Sequence, residues 1–485
     1  SIVDRKGEYA IFDQVEQNEG EAILYGHDSY KITERRSGVL LDEQGMDVLG
    51  KALNVFGGGY GAESEIWGST TINLNKGYVF QVFGGGENGA IGQGTYNSTT
   101  GKLEYTYDPR YSCHVNLKGN KEGVYRSHAD DSDDMAETEF IYGGSFEAPI
   151  AGNTIINLGN GRIFNSFAGS CNADILGHTE TYIGRQKKED GTYEDGGGFP
   201  WIRDHVYGGN DLGGQILNTA NFQGRVSSDL QTKLHKAENA ESPDVVNASA
   251  YMEYIQGRVG YIFGGCYGDY DYTDPHYQKY TFTGTPIKDD QGKITGYTYT
   301  NDGSNASNIG QPKSGFTKPR LDNAFVNFRP NSHVRNELER IFGAGQGSLK
   351  GIGVDSMQNR SYILVDIPQN VTKFQNVAVF GAGANCGLGM RADSITVSTQ
   401  LDKYSAIIDL FRGTIGNVYG GSFAEGFTRR TMLNVPNTST ISVQILFGGA
   451  YGDDPLYPCD VYESHVNYHS ADAIVRGNIY GGNNN

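Results

Sequence analysis

The sequence predicts an all-β fold: a right-handed parallel β-helix solenoid with loop insertions and an N-terminal cap. Three observations predict it. A short phrase recurs, its copies are tightly spaced, and a second strand-like motif is phased to it. The phrase is an aliphatic or small residue, then Phe or Tyr, then a Gly pair or close variant. Its copies centre on Phe56, Phe83, Tyr142, Phe167, Tyr207, Phe263, Phe342, Phe380, Tyr419, Phe447 and Tyr480. Tyr142 to Phe167 spans 25 residues, Phe56 to Phe83 spans 27, and Tyr419 to Phe447 spans 28. Such a unit is one coil of three short strands and three bends. Longer gaps, up to the 79 residues between Phe263 and Phe342, read as coils carrying insertions or as two coils with one degenerate phrase. A propeller blade needs roughly 40 residues, so the tight spacings disfavour a propeller.

The second motif is Thr-x-Ile-Asn-Leu, as in Thr70–Leu74 and Thr154–Leu158. A Gly follows shortly, at Gly77 and Gly161, and six residues later comes the phrase aromatic. Runs rich in Ile, Val, Thr and aromatics, punctuated by Gly and Asn, are strand-length. The alternation places Ile72 and Leu74 inward and Asn73 outward. Strands repeating in one direction pair in parallel at about 4.8 Å. Each phrase aromatic then stacks on its counterpart in the next coil and fills the core. The following Gly supplies positive φ and lets backbone approach backbone.

Residues 1–51 lack the phrase. They hold a plausible strand pair, Tyr9–Phe12 with Ala22–Tyr25, and read as the cap or the start of the first coils. Residues 52–485 read as the β-helix, with insertions at about 100–140, 185–260 and 267–335. The last insertion contains a hairpin-like Gln291-Gly292-Lys293 turn, and Asp229–Glu241 is helix-compatible. The closing Gly481-Gly482-Asn483-Asn484-Asn485 has no visible cap. The chain is therefore expected to be a fragment of a longer repeat protein, or to have its terminal coil covered by a partner.

Gly at 69 of 485 residues is about twice ordinary usage. Its phasing with aromatics argues for a fold rather than disorder. The net charge of −18 disfavours nucleic acid and anionic membrane as partners of the whole chain. No run of 18 apolar residues is present, so no transmembrane helix is expected. Cys113, Cys171, Cys266, Cys386 and Cys459 are odd in number and widely spaced, and read as small buried residues.

The chemistry-bearing segments lie in loops. Asp269, Asp271 and Asp274 cluster after the Phe263 phrase, with Asp453 and Asp454 after the Phe447 phrase and Asn210-Asp211 after the Tyr207 phrase. Clustered oxygen ligands of this kind suit Ca²⁺, and solvated acidic loops are the plainer alternative. Tyr270, Tyr272, Tyr277, Tyr297 and Tyr299 offer rigid amphipathic surface for a glycan or a surface protein, or pack a hairpin on itself. Lys313, Lys318, Arg320, Arg329, Arg335 and Arg340 form a basic stretch in an acidic chain, suited to neutralising uronates or simply scattered. Asp366 and Asp409 sit on strand-like runs and meet only if the register allows. No catalytic residues are assigned.

The phrase with its intervening Thr-x-Ile-Asn-Leu resembles the Gly-rich repeats of secreted right-handed β-helix surface proteins of gut Bacteroidetes. The likeness covers roughly residues 52–482. It implies an extracellular or cell-surface protein, adhesin-like or glycan-binding and non-catalytic. The alternative is a β-helix polysaccharide lyase or glycoside hydrolase acting on acidic glycans, since one coil hosts many functions.

Overall fold

The computed structural model describes residues 34–36, 39–41, 51–119, 122–123, 136–222, 224–225, 248–267, 284–288, 294–299, 319–347, 358–368, 370–389, 405–452 and 459–484. Among them the structure is all-β, built on two long parallel sheets. The first sheet has 11 strands in chain order, from Lys51–Phe56 to Ile479–Tyr480. Each carries one copy of the phrase. The second sheet has 13 strands, and its main path runs from Thr70–Leu74 to Cys459–Tyr468. The chain alternates between them, for example Thr70–Leu74, Gly77–Phe83, Cys113–Leu117, Ala136–Tyr142. Each pass thus adds a strand to both sheets, beside the strand of the pass before.

The phrase aromatics stand in one column. From Phe56 to Tyr480, successive ring centroids are 4.5 to 5.0 Å apart, with planes within 4 to 12° of parallel. This is the parallel strand spacing imposed on the rings. The long gaps therefore carry insertions. Phe263 and Phe342 are direct neighbours at 4.5 Å, and so are Phe83 and Tyr142 at 4.6 Å. The column is buried except at its ends, where Phe56 is half-buried and Tyr480 exposed.

The column does not fill the space between the sheets. That space is aliphatic: Val82, Val115, Ile141, Ile156, Leu158, Val206 and Ile262 form one cluster. Val82 and Phe83 are consecutive in a strand and point to opposite faces. The aromatics accordingly form a second core, packed against Phe146, Cys171, Leu212 and Ala384. A third parallel line closes each pass. Ile66, Ile91, Ile150, Ile175 and Ile216 bridge one to the next and pack with Cys113, Cys266 and Cys386. All five cysteines are buried and unpaired, and burial pushes the thiols of Cys113 and Cys266 up to about 12.

Glycine serves two separate purposes. The leading glycines Gly77 and Gly161 have φ of +84° and +143° and need the left-handed region. The phrase glycines are needed for proximity instead. A Cβ on Gly84 would lie 2.2 Å from the Gly143 carbonyl oxygen, and one on Gly143 would lie 2.2 Å from that of Ala168. That closeness lets Gly84 N–H donate to the Tyr142 carbonyl at 2.9 Å. The threonine that opens the second motif seals the same point. Thr70, Thr154, Thr179 and Thr431 donate to the carbonyls of Gly84, Ala168, Gly208 and Gly448 at 2.5 to 2.6 Å.

Antiparallel hairpins interrupt the parallel runs at Thr95–Asn97 with Lys102–Glu104, Arg185–Lys187 with Tyr193–Asp195, and Gly284–Lys288 with Ile294–Tyr299. The last flanks the expected turn. Near the start, Glu34–Arg36 pairs with Val39–Leu41; the expected strand pair at 9–25 and the segment Asp229–Glu241 lie outside the described residues.

Two stability outcomes follow. Phe83→Ala removes a ring packed on both faces and lowers stability by about 3–5 kcal/mol, whereas Phe56→Ala, at the end of the column, loses less. Denaturant unfolding of the two variants checks the difference. Gly143→Ala destabilises through its clash with the Ala168 carbonyl, while Gly68→Ala, where a Cβ meets nothing within 4 Å, leaves the melt unchanged or slightly raised.

Candidate functional site

The outer face of the first sheet carries its most varied chemistry on three adjacent strands: Pro200–Tyr207, Arg258–Phe263 and Glu337–Phe342. Inward residues anchor them. Val259 and Ile262 are three apart, but Ile202 and Val206 are four apart. The register shift between Ile202 and His205 absorbs the extra residue. Such a bulge re-aims side chains, and here Asp204 and His205 are both left half-buried. Trp201, Arg203, Arg258, Tyr261 and Arg340 are also half-buried, while Glu337 and Glu339 are exposed.

These side chains form two columns along the stacking direction. In one, the residues Glu137, Arg162, Trp201, Arg258 and Glu337 are aligned strand to strand. Arg162 Nε donates to Glu137 Oε1 at 3.0 Å. Trp201 has the guanidinium carbon of Arg162 at 5.8 Å and that of Arg258 at 5.0 Å from its ring. Arg258 Nε in turn donates to Glu337 Oε2 at 2.9 Å. This column is charge-balanced.

The other column is stacked. His205 lies on Tyr261 at 4.5 Å and 11°. The Arg340 guanidinium lies 5.1 Å from the Tyr261 ring and 4.6 Å from the Phe423 ring. Phe423 stacks on Tyr451 at 5.4 Å and 7°. Phe423 and Tyr451 belong to the third line, where Phe423–Ala424 pairs in parallel with Tyr451–Gly452. The column therefore crosses from the first sheet to the neighbouring face. Rings stacked on one another offer their edges, and an aromatic edge is the electropositive part of the ring. Burial pushes the His205 imidazole below its usual value, against the upward pull of Asp204 and Glu339. His205 is thus neutral near pH 7.

Among the described residues, no group of three or more His, Cys, Asp or Glu side chains converges as a metal site. Asp366 and Asp409 stay apart in role. Arg412 Nε binds Asp366 Oδ1 at 2.5 Å, while Asp409 accepts from the Tyr362 hydroxyl at 2.5 Å and from Asn434 at 2.8 Å. The register pairs Leu364 with Asp409 and Asp366 with Arg412, so the two carboxylates are not opposite.

Asp269, Asp271, Asp274, Tyr270, Tyr272 and Tyr277 lie outside the described residues, as do Asp453, Asp454, Lys313 and Lys318. Tyr297 and Tyr299 are placed by backbone alone, opposite Pro286 and Gly284. Asn210 and Asp211 are not in a solvated acidic loop. Asn210 bridges to the carbonyls of Ala173 and Gly213, and Asp211 accepts from the Tyr142 hydroxyl at 3.0 Å inside the aromatic core. Nor do the described arginines of the basic stretch make one cluster. Arg329 is 3.9 Å from Glu253, Arg335 pairs with Glu122, and Arg340 joins the stacked column.

Sequence reasoning missed Trp201, His205, Tyr261, Phe423 and Tyr451 as a site. A signal was present two residues before each phrase aromatic. That position holds Asn54, Gln81, Asn165, Asn417 and Asn478 in five copies, but His205, Tyr261 and Arg340 in three consecutive ones. The register aligns those three on neighbouring strands. Comparison with protein-family models, curated proteins and solved structures finds no match.

The depressed His205 value has a sign. The unfolded chain takes up a proton as pH falls through about 6.5 while the folded chain resists, so stability is lost in that window. His205→Gln removes this contribution. The fall in melting temperature between about pH 7.5 and 5.5 is expected to be smaller in the variant than in the parent, and an equal fall contradicts the assignment.

Proposed function

We propose that this chain is a right-handed parallel β-helix of a secreted or cell-surface protein, and that it binds glycan on the outer face of its first sheet without turning it over. The handedness follows from the rule that crossovers between parallel strands of one sheet are right-handed. The observation that carries the binding assignment is the stacked column His205–Tyr261–Arg340–Phe423–Tyr451. Its side chains are half-buried on rigid strands and repeat at close to the strand spacing. Half-buried aromatic and guanidinium groups, with Asp204, Glu337 and Glu339 beside them, combine apolar contact with donors and acceptors for hydroxyls. An extended chain of sugars running along the stack would meet such groups on pass after pass. The net charge of −18 suits a soluble, mutually repelling surface, and among the described residues no helix is long and apolar enough to cross a membrane.

A panel of acidic and neutral polysaccharides tests this. Retention of at least one polymer on the parent chain, weakened by Tyr261→Ala and without new reducing ends or unsaturated products, is the expected result. Product formation assigns an enzyme instead, and no retention of any polymer removes the binding assignment.

A further inference from the structure

We infer that Arg340 is an oxyanion-binding residue, and that the ligand of this face carries carboxylate or sulfate groups, as acidic polysaccharides do. The inference rests on the glycan-binding reading of the face but is argued from a feature of its own.

Arginines on this scaffold generally hold a carboxylate. Arg162 holds Glu137, Arg258 holds Glu337, Arg412 holds Asp366 and Arg430 holds Glu463. Arg340 does not: among the described residues it has no ion pair and no hydrogen bond, although Glu339 precedes it in the chain. Its two neighbours are rings, Tyr261 at 5.1 Å and Phe423 at 4.6 Å. A guanidinium is planar, with its five N–H donors in the plane. Rings above and below satisfy its faces and leave its edge unpaired. None of its nitrogens is among the buried, unbonded polar atoms, so the donor edge is reachable from outside.

The clamp has a physical consequence. A surface arginine must give up rotamer freedom when it binds an anion. Here two rings, one from the first sheet and one from the third line, already restrict that freedom. They also keep water off both faces, which strengthens a bidentate bond made at the edge. His205, on the far face of Tyr261, is neutral near pH 7 and adds no second charge. The site is therefore a single directional fork for one oxyanion. Asp204 and Glu339 lie nearby, and the whole chain is acidic. Binding must come from the short-range fork and not from long-range attraction.

The test uses the whole chain and small probes at constant ionic strength, followed by NMR or calorimetry. Methyl glucuronide supplies the carboxylate, methyl glucoside 6-sulfate the sulfate ester, and methyl glucoside the neutral control. Saturable binding of at least one anionic probe, absent for the neutral one, is expected. Arg340→Gln should weaken it at least about tenfold, the loss of a charged bidentate contact. Arg340→Lys, which keeps the charge but not the fork, should recover only part of it. The two anionic arms tell uronate from sulfate. No difference between anionic and neutral probes overturns the inference, as does unchanged affinity in Arg340→Gln with an unaltered circular dichroism spectrum. Failure of the glycan reading is distinct: every polymer passes unretained while the small anions still bind through Arg340.

Discussion

Backbone proximity at one point of each pass governs this molecule. The phrase glycine lies so close to the carbonyl of the next pass that a Cβ there would sit 2.2 Å from oxygen. Several features depend on that approach. It lets the glycine N–H reach the preceding carbonyl across the gap and fixes the register of the first sheet. It also sets the stacking distance of the aromatic column. A threonine from the second sheet then binds the glycine carbonyl, tying the two sheets together at the same place. The aliphatic interior supplies most of the apolar burial, but any well-chosen Val, Ile and Leu would do that. The glycine contact is what makes each pass superimpose on the last.

Strict superposition is also what creates a candidate site from scattered residues. His205, Tyr261 and Arg340 are separated by 56 and 79 residues in the chain, yet they are neighbours because their strands are aligned. On such a scaffold a position relative to the phrase is a position in space. Variation at that position along the passes writes a pattern on the flank. Asparagine at the same position is the quiet version: Asn478 donates to its own Tyr480 hydroxyl at 2.8 Å. The stacked, cationic version departs from it on three passes together.

Much of the fold could be read from the sequence because the phrase constrains it twice, through ring size and through glycine. All eleven phrase aromatics lie in the one column, and the cysteines are small buried residues, as their spacing suggested. Period two also predicted that Ile72 faces in and Asn73 out; Asn73, Asn116 and Asn157 in fact form a hydrogen-bonded ladder at 2.9 to 3.0 Å. Two expectations needed correction. The phrase glycines were expected to serve both bend and approach; positive φ belongs to Gly77 and Gly161 instead. The aromatics were expected to fill the main core, but alternation sends them to a separate one. The stacked column escaped notice because no local sequence cue marks it. Its partners are brought together only by register, and Phe423 and Tyr451 arrive from a different line of the structure. Asp211 misled for a related reason: an acid beside glycine looks solvated until the Tyr142 hydroxyl is found next to it.

The most direct measurement of this in-register arrangement is disulfide trapping across two passes. Asn73 and Asn116 are aligned on neighbouring strands, with their side chains 3.0 Å apart, and Asn157 lies one strand further. Neighbouring parallel strands place such Cα atoms about 4.8 Å apart, within the span a disulfide bridges, whereas the next strand but one is beyond it. Mild oxidation of Asn73→Cys/Asn116→Cys should give an internal cross-link, and Asn73→Cys/Asn157→Cys should give none. A cross-link in the second pair but not the first would contradict the stacking of passes on which the fold and the candidate site both depend.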